Sequence, residues 1–306
     1  MPDLDLALDG PLDLALTLRP LVRGQGDRTI RLAPGRALWT TRTADGPATL
    51  VLQQDGDRLR VEAHGPGADR ALERAARVVG VDAGSTGVRD LAGVADRWIG
   101  RLARRFAGVR LCRTEAVFDA LLPAILEQKV TGTEARRAWH GLVRDHGEPA
   151  PGPPDLVAGL RLAPAPAALA ALPYYEFHRY GLEQRRAELI RRVAARAAWL
   201  EATVDLPIPE AYARLLSVPG IGPWTAAEVA VRALGDPDAV SVGDFHLPNL
   251  VAFALAGEPR GDDLRMIQLL EPFRGRRALV IRLLELSGVR APRYGPRCSP
   301  RGIEHI

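Results

Sequence analysis

The sequence has little cysteine and no long apolar run. Two cysteines, Cys112 and Cys298, occur among 306 residues, whereas an iron–sulfur cluster takes four cysteine ligands. The six histidines show no His-Glu-x-x-His pattern of the kind that binds zinc on one helix face. No stretch approaches the roughly 20 apolar residues of a membrane helix. We therefore expect no iron–sulfur cluster, no catalytic transition metal, no required cofactor and no membrane segment.

The N-terminus also lacks the basic start and apolar core of a secretory signal. Asp3, Asp5 and Asp9 stand there instead, so we expect a cytoplasmic protein. The formal net charge is +4, and the positive charge is carried almost entirely by arginine. Arginine suits phosphate recognition, although GC-rich coding favours the same residue. An apolar share of 47% is enough for a sizeable core.

The pattern along the chain predicts an α+β fold that changes character near residue 95. Leucines at 12, 14, 16 and 18 alternate with period two, which predicts a half-buried strand. Further short strands are predicted at 37–43, 48–53 and 58–63, followed by a helix at 67–79. The sequence thus predicts an N-terminal scaffold domain, residues 1–95, with a small antiparallel sheet and a helix.

Residues 96–290 are predicted to be mostly α-helical. Apolar residues at i, i+3, i+4, i+7 and i+8 give one clear buried face, and Pro123 predicts either a kink or a helix start within it. The proline-rich stretch 147–154 predicts a loop, and 291–306 predicts a basic, poorly ordered tail. The residues of the buried face are Phe118, Leu121, Leu122, Ile125 and Leu126.

Residues 215–225 read Leu-Leu-Ser-Val-Pro-Gly-Ile-Gly-Pro-Trp-Thr, which is typical of a helix-hairpin-helix. Pro209 and Pro223 suit the first turns of the two helices. Gly220 and Gly222 allow positive φ and a close approach of the backbone to a ligand. N–H groups at the start of the second helix favour an anion such as a DNA phosphate. The alternative is a tight helical hairpin whose glycines serve only the turn.

Residues 208–254 resemble the helix-hairpin-helix–Gly/Pro–Asp superfamily of DNA glycosylases, most closely the 3-methyladenine DNA glycosylase II family, which repairs alkylated bases. The segment 118–131 is similar to the family's early core helix with its Ile-Leu-x-Gln signature. Segments 181–188 and 271–274 resemble its Gly-x-x-x-x-Arg-Ala-Glu and Pro-Trp-Arg segments. The resemblance covers residues 100–290 strongly and the first hundred residues by layout only. It implies a helical glycosylase domain over residues 96–290.

Asp244 follows Thr225 by nineteen residues and is the candidate catalytic residue. When an N-glycosidic bond breaks, positive charge develops on the sugar, and a facing carboxylate stabilises it and orients the attacking water. The alternative interpretation is a helix cap, because Pro248 indicates a helix start nearby. Spacing alone leaves the two interpretations comparable, and the superfamily pattern favours catalysis.

The resemblance also implies substrate-binding residues, which are Trp224, Phe245 and Gln128. Trp224 occupies the position where the strand-cutting lyases of the superfamily carry a Schiff-base lysine. It would form an aromatic wall for a flipped base, and its alternative role is core packing. The sequence departs from the family at Arg282, near which a stacking aromatic is expected, and at Lys129, where the family has an apolar wedge.

For DNA binding, the resemblance implies a hairpin that holds a phosphate together with a monovalent cation. The implied cation ligands are the backbone carbonyls of Leu216, Val218 and Ile221, which would hold Na⁺ or K⁺. The implied DNA-binding residues are Gly220, Ile221, Gly222, Thr225 and Lys129.

Two functions of different classes are therefore predicted. The first is a monomeric, monofunctional glycosylase that acts on alkylated purines such as 3-methyladenine and 7-methylguanine in double-stranded DNA. The second is a non-catalytic DNA-binding module that uses the hairpin alone. Asp244, Trp224 and Phe245 favour the enzyme, because a pure clamp needs neither an acid nor a base pocket. A bifunctional lyase is a weaker third option, which Trp224 opposes.

Overall fold

The computed structural model describes residues 3–82, 84 and 86–292. The N-terminal part forms a five-stranded sheet in which every neighbouring pair is antiparallel, in the order β1-β5-β4-β3-β2. The strands predicted at 37–43, 48–53 and 58–63 are confirmed and are slightly longer than predicted. The strands are β1 Asp3–Ala7, β2 Ile30–Ala33, β3 Arg36–Thr43, β4 Gly46–Asp55 and β5 Arg58–His64.

Both faces of the sheet are covered by apolar side chains. Leu50 and Leu52 of β4 belong to one cluster with the buried face of the helix Ala68–Val78, the helix predicted at 67–79. On the other face, Leu38 and Val51 pack with apolar residues from the proline-rich loop after residue 147. Alternation of side chains along each strand makes this two-sided burial possible, so the sheet lies between its own helix and the helical region.

The strand predicted from Leu12, Leu14, Leu16 and Leu18 is wrong. The segment Leu14–Leu18 is a short helix, α1. The carboxylate of Asp13 accepts a hydrogen bond from the Leu16 N–H at 2.8 Å and caps the helix, as aspartate favours. Leu14 and Leu18, four residues apart, are both buried in the sheet's core. The helix therefore directs Leu14 and Leu18 into the sheet's core, whereas Leu16 is partly exposed and packs against a different cluster.

The rest of the chain is largely helical, as predicted for residues 96–290. Pro123 lies inside a helix that begins at Val117, so the helix does not start at the proline. The tail predicted at 291–306 lies outside the described residues from 293 onward. The helices after α1 are α2 Ala68–Val78, α3 Arg97–Arg105, α4 Val117–Leu126, α5 Gly132–His146, α6 Pro154–Val157, α7 Pro166–Ala171, α8 Gln184–Ala194, α9 Ala197–Glu201, α10 Ile208–Leu216, α11 Pro223–Val229, α12 Leu247–Ala256, α13 Asp263–Leu270 and α14 Arg277–Ser287.

Two hydrophobic clusters hold the helices together. The larger one contains α4, α5, α8 and the hairpin helices α10 and α11. The other joins distant parts of the sequence, since Val88, Ile99 and Val109 pack with Leu279 and Leu283 of α14. In the part of the chain that the structure describes, no helix combines the length and apolar character needed to cross a bilayer.

Arginines from the later helices hydrogen-bond to carbonyls of the N-terminal part. Arg282 donates from Nη2 to the Leu16 carbonyl at 2.8 Å, and Arg232 donates from Nε to the Pro20 carbonyl at 3.2 Å. Both carbonyls lie near the end of α1, where helix carbonyls lack intrahelical partners. The short helix that replaces the predicted strand therefore also ties the N-terminal part to the helices that follow the hairpin.

Candidate active site at the helix hairpin

The hairpin between α10 and α11 is anchored to the helical core by buried apolar side chains. Leu215, Val218 and Ile221 are buried in the main helical cluster together with Ala226. The Ile221 N–H donates to the Val218 carbonyl at 3.0 Å and closes the turn. Pro219 and Gly220, by contrast, are exposed. The turn thus presents backbone to solvent while its apolar side chains fix it to the core.

The two hairpin glycines serve different purposes. Gly220 has φ +102°, and a Cβ there would lie 3.0 Å from two methyl carbons of Leu189, so both conformation and space favour glycine. Gly222 caps α11 with φ −100° and ψ 178°, so this glycine does not use the positive φ that its type allows. A Cβ on Gly222 would meet nothing within 4 Å. Its missing side chain therefore leaves open space at the first turn of α11, whose N–H groups have no acceptor within the helix.

Gln128, which the resemblance implies as substrate-binding, lies against the hairpin itself. Its Nε2 donates to the Gly220 carbonyl at 3.1 Å and to the Thr225 hydroxyl at 2.9 Å. The next residue, Lys129, is exposed and has φ +55°, a conformation that is uncommon for a residue with a side chain. Gln128, just after α4, thus makes hydrogen bonds to residues on both sides of the turn, and Lys129 next to it is exposed to solvent.

Asp244 is brought to the hairpin by a hydrogen bond from Trp224. The indole Nε1 donates to Asp244 Oδ2 at 3.0 Å. The other oxygen, Oδ1, accepts from the backbone N–H groups of His246 at 2.7 Å and Leu247 at 2.8 Å, which is the start of α12. Asp244 therefore caps a helix and also faces the hairpin, so the two interpretations of its role are compatible. Three N–H donors fix the carboxylate, which stays partly exposed.

The segment that carries Asp244 has further polar supports that sequence analysis missed. The Ser241 hydroxyl donates to Glu228 Oε1 at 2.6 Å. The Gly243 N–H donates to both carboxylate oxygens of Asp263, each at 3.1 Å. Trp224 and Glu228 are four residues apart and therefore lie on one helix face. This spacing is the part of the arrangement that the sequence could have indicated.

The two aromatic residues that the resemblance groups together lie in different environments. Trp224 is partly buried, whereas Phe245 is 82% exposed and its ring meets the edge of His246, with ring centroids 4.9 Å apart. Leu264, beside Asp263, is exposed as well. Phe245 therefore stands exposed next to Asp244 in the sequence and does not form an enclosed wall with Trp224.

The implied cation ligands lie at the turn, where Leu216 is exposed and the Val218 carbonyl already accepts the Ile221 N–H. Cation binding at these carbonyls stays a prediction. Within the described residues, no group of three or more His, Cys, Asp or Glu side chains is arranged to hold a metal ion.

Known proteins similar in sequence are DNA repair enzymes by name. No protein-family model matches the chain. A probable bifunctional transcriptional activator/DNA repair enzyme AlkA from Mycobacterium tuberculosis is 28% identical over 222 residues, 72% of this chain and 42% of the relative. DNA-3-methyladenine glycosylase 2 from Escherichia coli is 30% identical over 151 residues, 48% of this chain and 51% of the relative. The chain thus spans about half the length of the curated relatives it matches.

Solved structures of glycosylases share the fold over nearly the whole chain. A 3-methyladenine DNA-glycosylase from Archaeoglobus fulgidus superposes with a TM-score of 0.76 at 19% identity, covering 93% of this chain and 98% of that one. The 8-oxoguanine glycosylase/lyase from Clostridium acetobutylicum, in complex with double-stranded DNA, gives 0.65 at 14% identity, covering 89% and 90%. Such identities establish the fold alone. The resemblance seen in the sequence is thereby confirmed: the chain has the fold of the helix-hairpin-helix DNA glycosylases, and the relatives that it matches in sequence include named DNA-3-methyladenine glycosylases.

Proposed function

We propose that this chain is a monofunctional DNA glycosylase that acts as a monomer in base-excision repair. Its substrates are alkylated purines of the 3-methyladenine and 7-methylguanine type in double-stranded DNA. The observation that carries the proposal is the hydrogen bond between Trp224 and Asp244. This bond joins the partly exposed carboxylate of Asp244 to Trp224, which lies in the first turn of α11. The names of the sequence relatives support the same activity.

The reaction follows from what each group offers chemically. Backbone N–H groups at Gly222 and the first turn of α11 hold a phosphate, which positions the duplex without reading its sequence. The damaged base leaves the stack and lies against Trp224. The bond between C1′ and the base nitrogen breaks, and its electrons leave with the base. Water adds to C1′, and the proton that it loses passes to the carboxylate of Asp244, which also stabilises the developing sugar cation.

A lyase mechanism is disfavoured by the distribution of lysine. Schiff-base formation needs an amine, and Lys129 is the only lysine in the sequence. Lys129 stands outside α11, whereas Trp224 lies in that helix, at the position where the resemblance places the lysine of the lyases. We therefore propose base release without strand cleavage, and we expect that borohydride treatment of a reaction with abasic DNA gives no covalent adduct at Lys129.

One observation favours a second candidate function, a DNA-binding module without catalysis. Asp244 Oδ1 accepts two N–H groups at the start of α12, which is what a helix cap alone would do. A cap alone does not account for the indole bond to the second oxygen, nor for Phe245 exposed beside it. The two candidates differ in whether base is released from bound DNA.

The deciding experiment is incubation of the protein with duplex DNA methylated by an alkylating agent. We expect free 3-methyladenine and 7-methylguanine by chromatography, and strand breaks only after alkali treatment. Binding of the same DNA without base release would establish the non-catalytic module instead. Varying Na⁺ and K⁺ in the same assay tests whether a monovalent cation at the hairpin supports DNA binding.

A further inference from the structure

We infer that Glu228 and Ser241 are positioning residues that hold Asp244 in place for the reaction. The inference rests on the proposed function, since it concerns the geometry of the same carboxylate. Together with Arg232, the two side chains form what we call the loop latch, defined as the Glu228–Ser241 hydrogen bond and the ion pair between Glu228 and Arg232.

The latch fastens the Asp244 segment to one face of α11. Trp224 and Glu228 are four residues apart and lie on the same side of the helix. Trp224 binds Asp244 at 3.0 Å, and Glu228 binds Ser241 at 2.6 Å. Both ends of the four-residue segment 241–244 are thus tied to adjacent turns of one helix. With two fixed ends, the carboxylate loses most of the freedom that a loop side chain would have.

Glu228 is itself rigidly held, which is what a positioning residue requires. Its side chain is only 15% exposed, and Oε2 pairs with Arg232 Nη1 at 2.7 Å. The same guanidinium donates to the Glu228 carbonyl and, from Nε, to the Pro20 carbonyl. A partly buried carboxylate is costly unless it is paired and hydrogen-bonded. Arg232 supplies the charge, leaving Oε1 as the acceptor for Ser241.

The loop latch should affect the rate of base excision but not the affinity for DNA, which depends on the hairpin. None of its contacts involves the turn at Pro219–Gly222, which is held by Gln128 and by buried apolar side chains. Misplacement of a reacting group by about 1 Å lowers rates roughly a hundredfold. We therefore expect that breaking the latch lowers the single-turnover excision rate about ten- to a hundredfold, with the affinity for undamaged duplex DNA unchanged.

The test uses Ser241→Ala and Glu228→Ala, with Ser241→Thr as the variant that keeps the hydroxyl. The rate should fall in the first two and recover in the third. The double variant Ser241→Ala with Glu228→Ala should lose no more than Glu228→Ala alone, because removal of the Glu228 carboxylate already removes the acceptor of the Ser241 hydroxyl. Glu73→Ala is the matched control: Glu73 pairs with Arg70 at 2.9 Å within α2, and its loss should leave the rate unchanged.

Amide hydrogen exchange over residues 241–247 provides a readout that does not depend on activity. Amide exchange in this segment should become faster in Ser241→Ala and stay at the wild-type rate in Glu73→Ala. If wild-type protein releases no base, the proposed function fails, and exchange alone decides whether the latch exists. If wild-type protein releases base but both latch variants excise at its rate, or lose rate and DNA affinity in parallel, the inference is overturned while the proposed function stands.

Discussion

The hairpin turn and the Asp244 carboxylate are held in place by different means. The hairpin turn is fixed by buried apolar side chains, among them Val218 and Ile221, and it exposes backbone. The segment 241–247 also packs Val242 and Leu247 against an apolar cluster, but the part around the carboxylate is fixed by hydrogen bonds with the side chains of Trp224, Glu228 and Asp263. A contact surface made of backbone changes little when exposed side chains change. A carboxylate positioned by single side chains is sensitive to each of them.

This difference predicts that substitutions in the two regions separate binding from excision. The largest expected effect is that of Asp244→Asn. Loss of one key electrostatic group costs about 3–4 kcal/mol in the transition state, so excision should fall by two to three orders of magnitude while DNA binding is kept. Asp262→Asn is the control, since Asp262 also caps a helix by accepting the Arg265 N–H at 2.8 Å. Equal, small losses in the two variants would make Asp244 a cap only.

Trp224→Ala should lower excision about ten- to a hundredfold, because stacking of a base on an aromatic side chain contributes roughly 1–3 kcal/mol. The loss should be larger for neutral damaged bases than for cationic ones, which leave more easily unaided. Trp224→Phe keeps a stacking face but removes the hydrogen bond to Asp244, so comparing the two variants separates stacking from carboxylate positioning. Trp199→Ala, which removes a partly exposed indole from α9, is the control. Wild-type excision of every alkylated base by Trp224→Ala would make Trp224 ordinary core.

Gly222→Val should weaken binding of damaged and undamaged DNA alike, by about tenfold, because the side chain blocks the phosphate at α11. The fold should tolerate the change, since the site is open and φ is −100°. Gly220→Val is less informative, because positive φ and contact with Leu189 would destabilise the fold. The control is Gly93→Val, at an exposed position where a Cβ also meets nothing within 4 Å. Equal affinity of the Gly222 and Gly93 variants would reduce the hairpin to a structural turn.

The smallest expected effect on excision is that of Glu201→Gln. Like Asp244, Glu201 accepts two backbone N–H groups at a helix start, from Val117 at 2.9 Å and Phe118 at 2.7 Å. Desolvation of its carboxyl raises the pKa of Glu201 from the ordinary 4.5 to about 7, with the charge of Asp119 also contributing. The comparison separates a buried capping carboxylate from an accessible one.

Because the folded state holds the Glu201 proton more tightly, the contribution of this group to stability is fully present below pH 4.5 and is lost as the pH rises through about 7. The loss amounts to at most about 3 kcal/mol. Denaturant unfolding between pH 4.5 and 8 should therefore show a steeper decline for wild type than for Glu201→Gln, with equal excision rates under conditions where both are folded. Parallel stability curves would contradict the prediction.

Two similar segments show why only part of the fold could be predicted from the sequence. Asp-Leu-Asp-Leu-Ala-Leu at 3–8 and Leu-Asp-Leu-Ala-Leu at 12–16 share one local pattern. Residues Asp3–Ala7 form a strand because β5 lies alongside and pairs with them. The second segment becomes a helix because Asp13, whose N–H donates to the Gly108 carbonyl, can cap it. The deciding partners are distant in sequence and invisible to local periodicity.

The candidate site divides in the same way. The hairpin and Asp244 are readable because turn chemistry and the superfamily spacing lie within one continuous stretch. The contact of Gln128 with the hairpin was missed because it joins residues 92 positions apart. The roles of Glu228 and Asp263 were missed because their partners, Ser241 and Gly243, lie in a loop whose path no local periodicity predicts. Local patterns therefore indicated where the site is but not what holds it together.

The cluster that joins Val109 to Leu279, 170 residues apart in the sequence, has a consequence for the order of folding. Val240, Val242 and Leu247, which flank Asp244, pack against this cluster. Contacts between such distant residues form slowly and late. The hairpin, whose two helices are adjacent in the chain, can assemble early. We therefore expect the hairpin to form before the Asp244 carboxylate reaches its final position, which requires the last helix, α14.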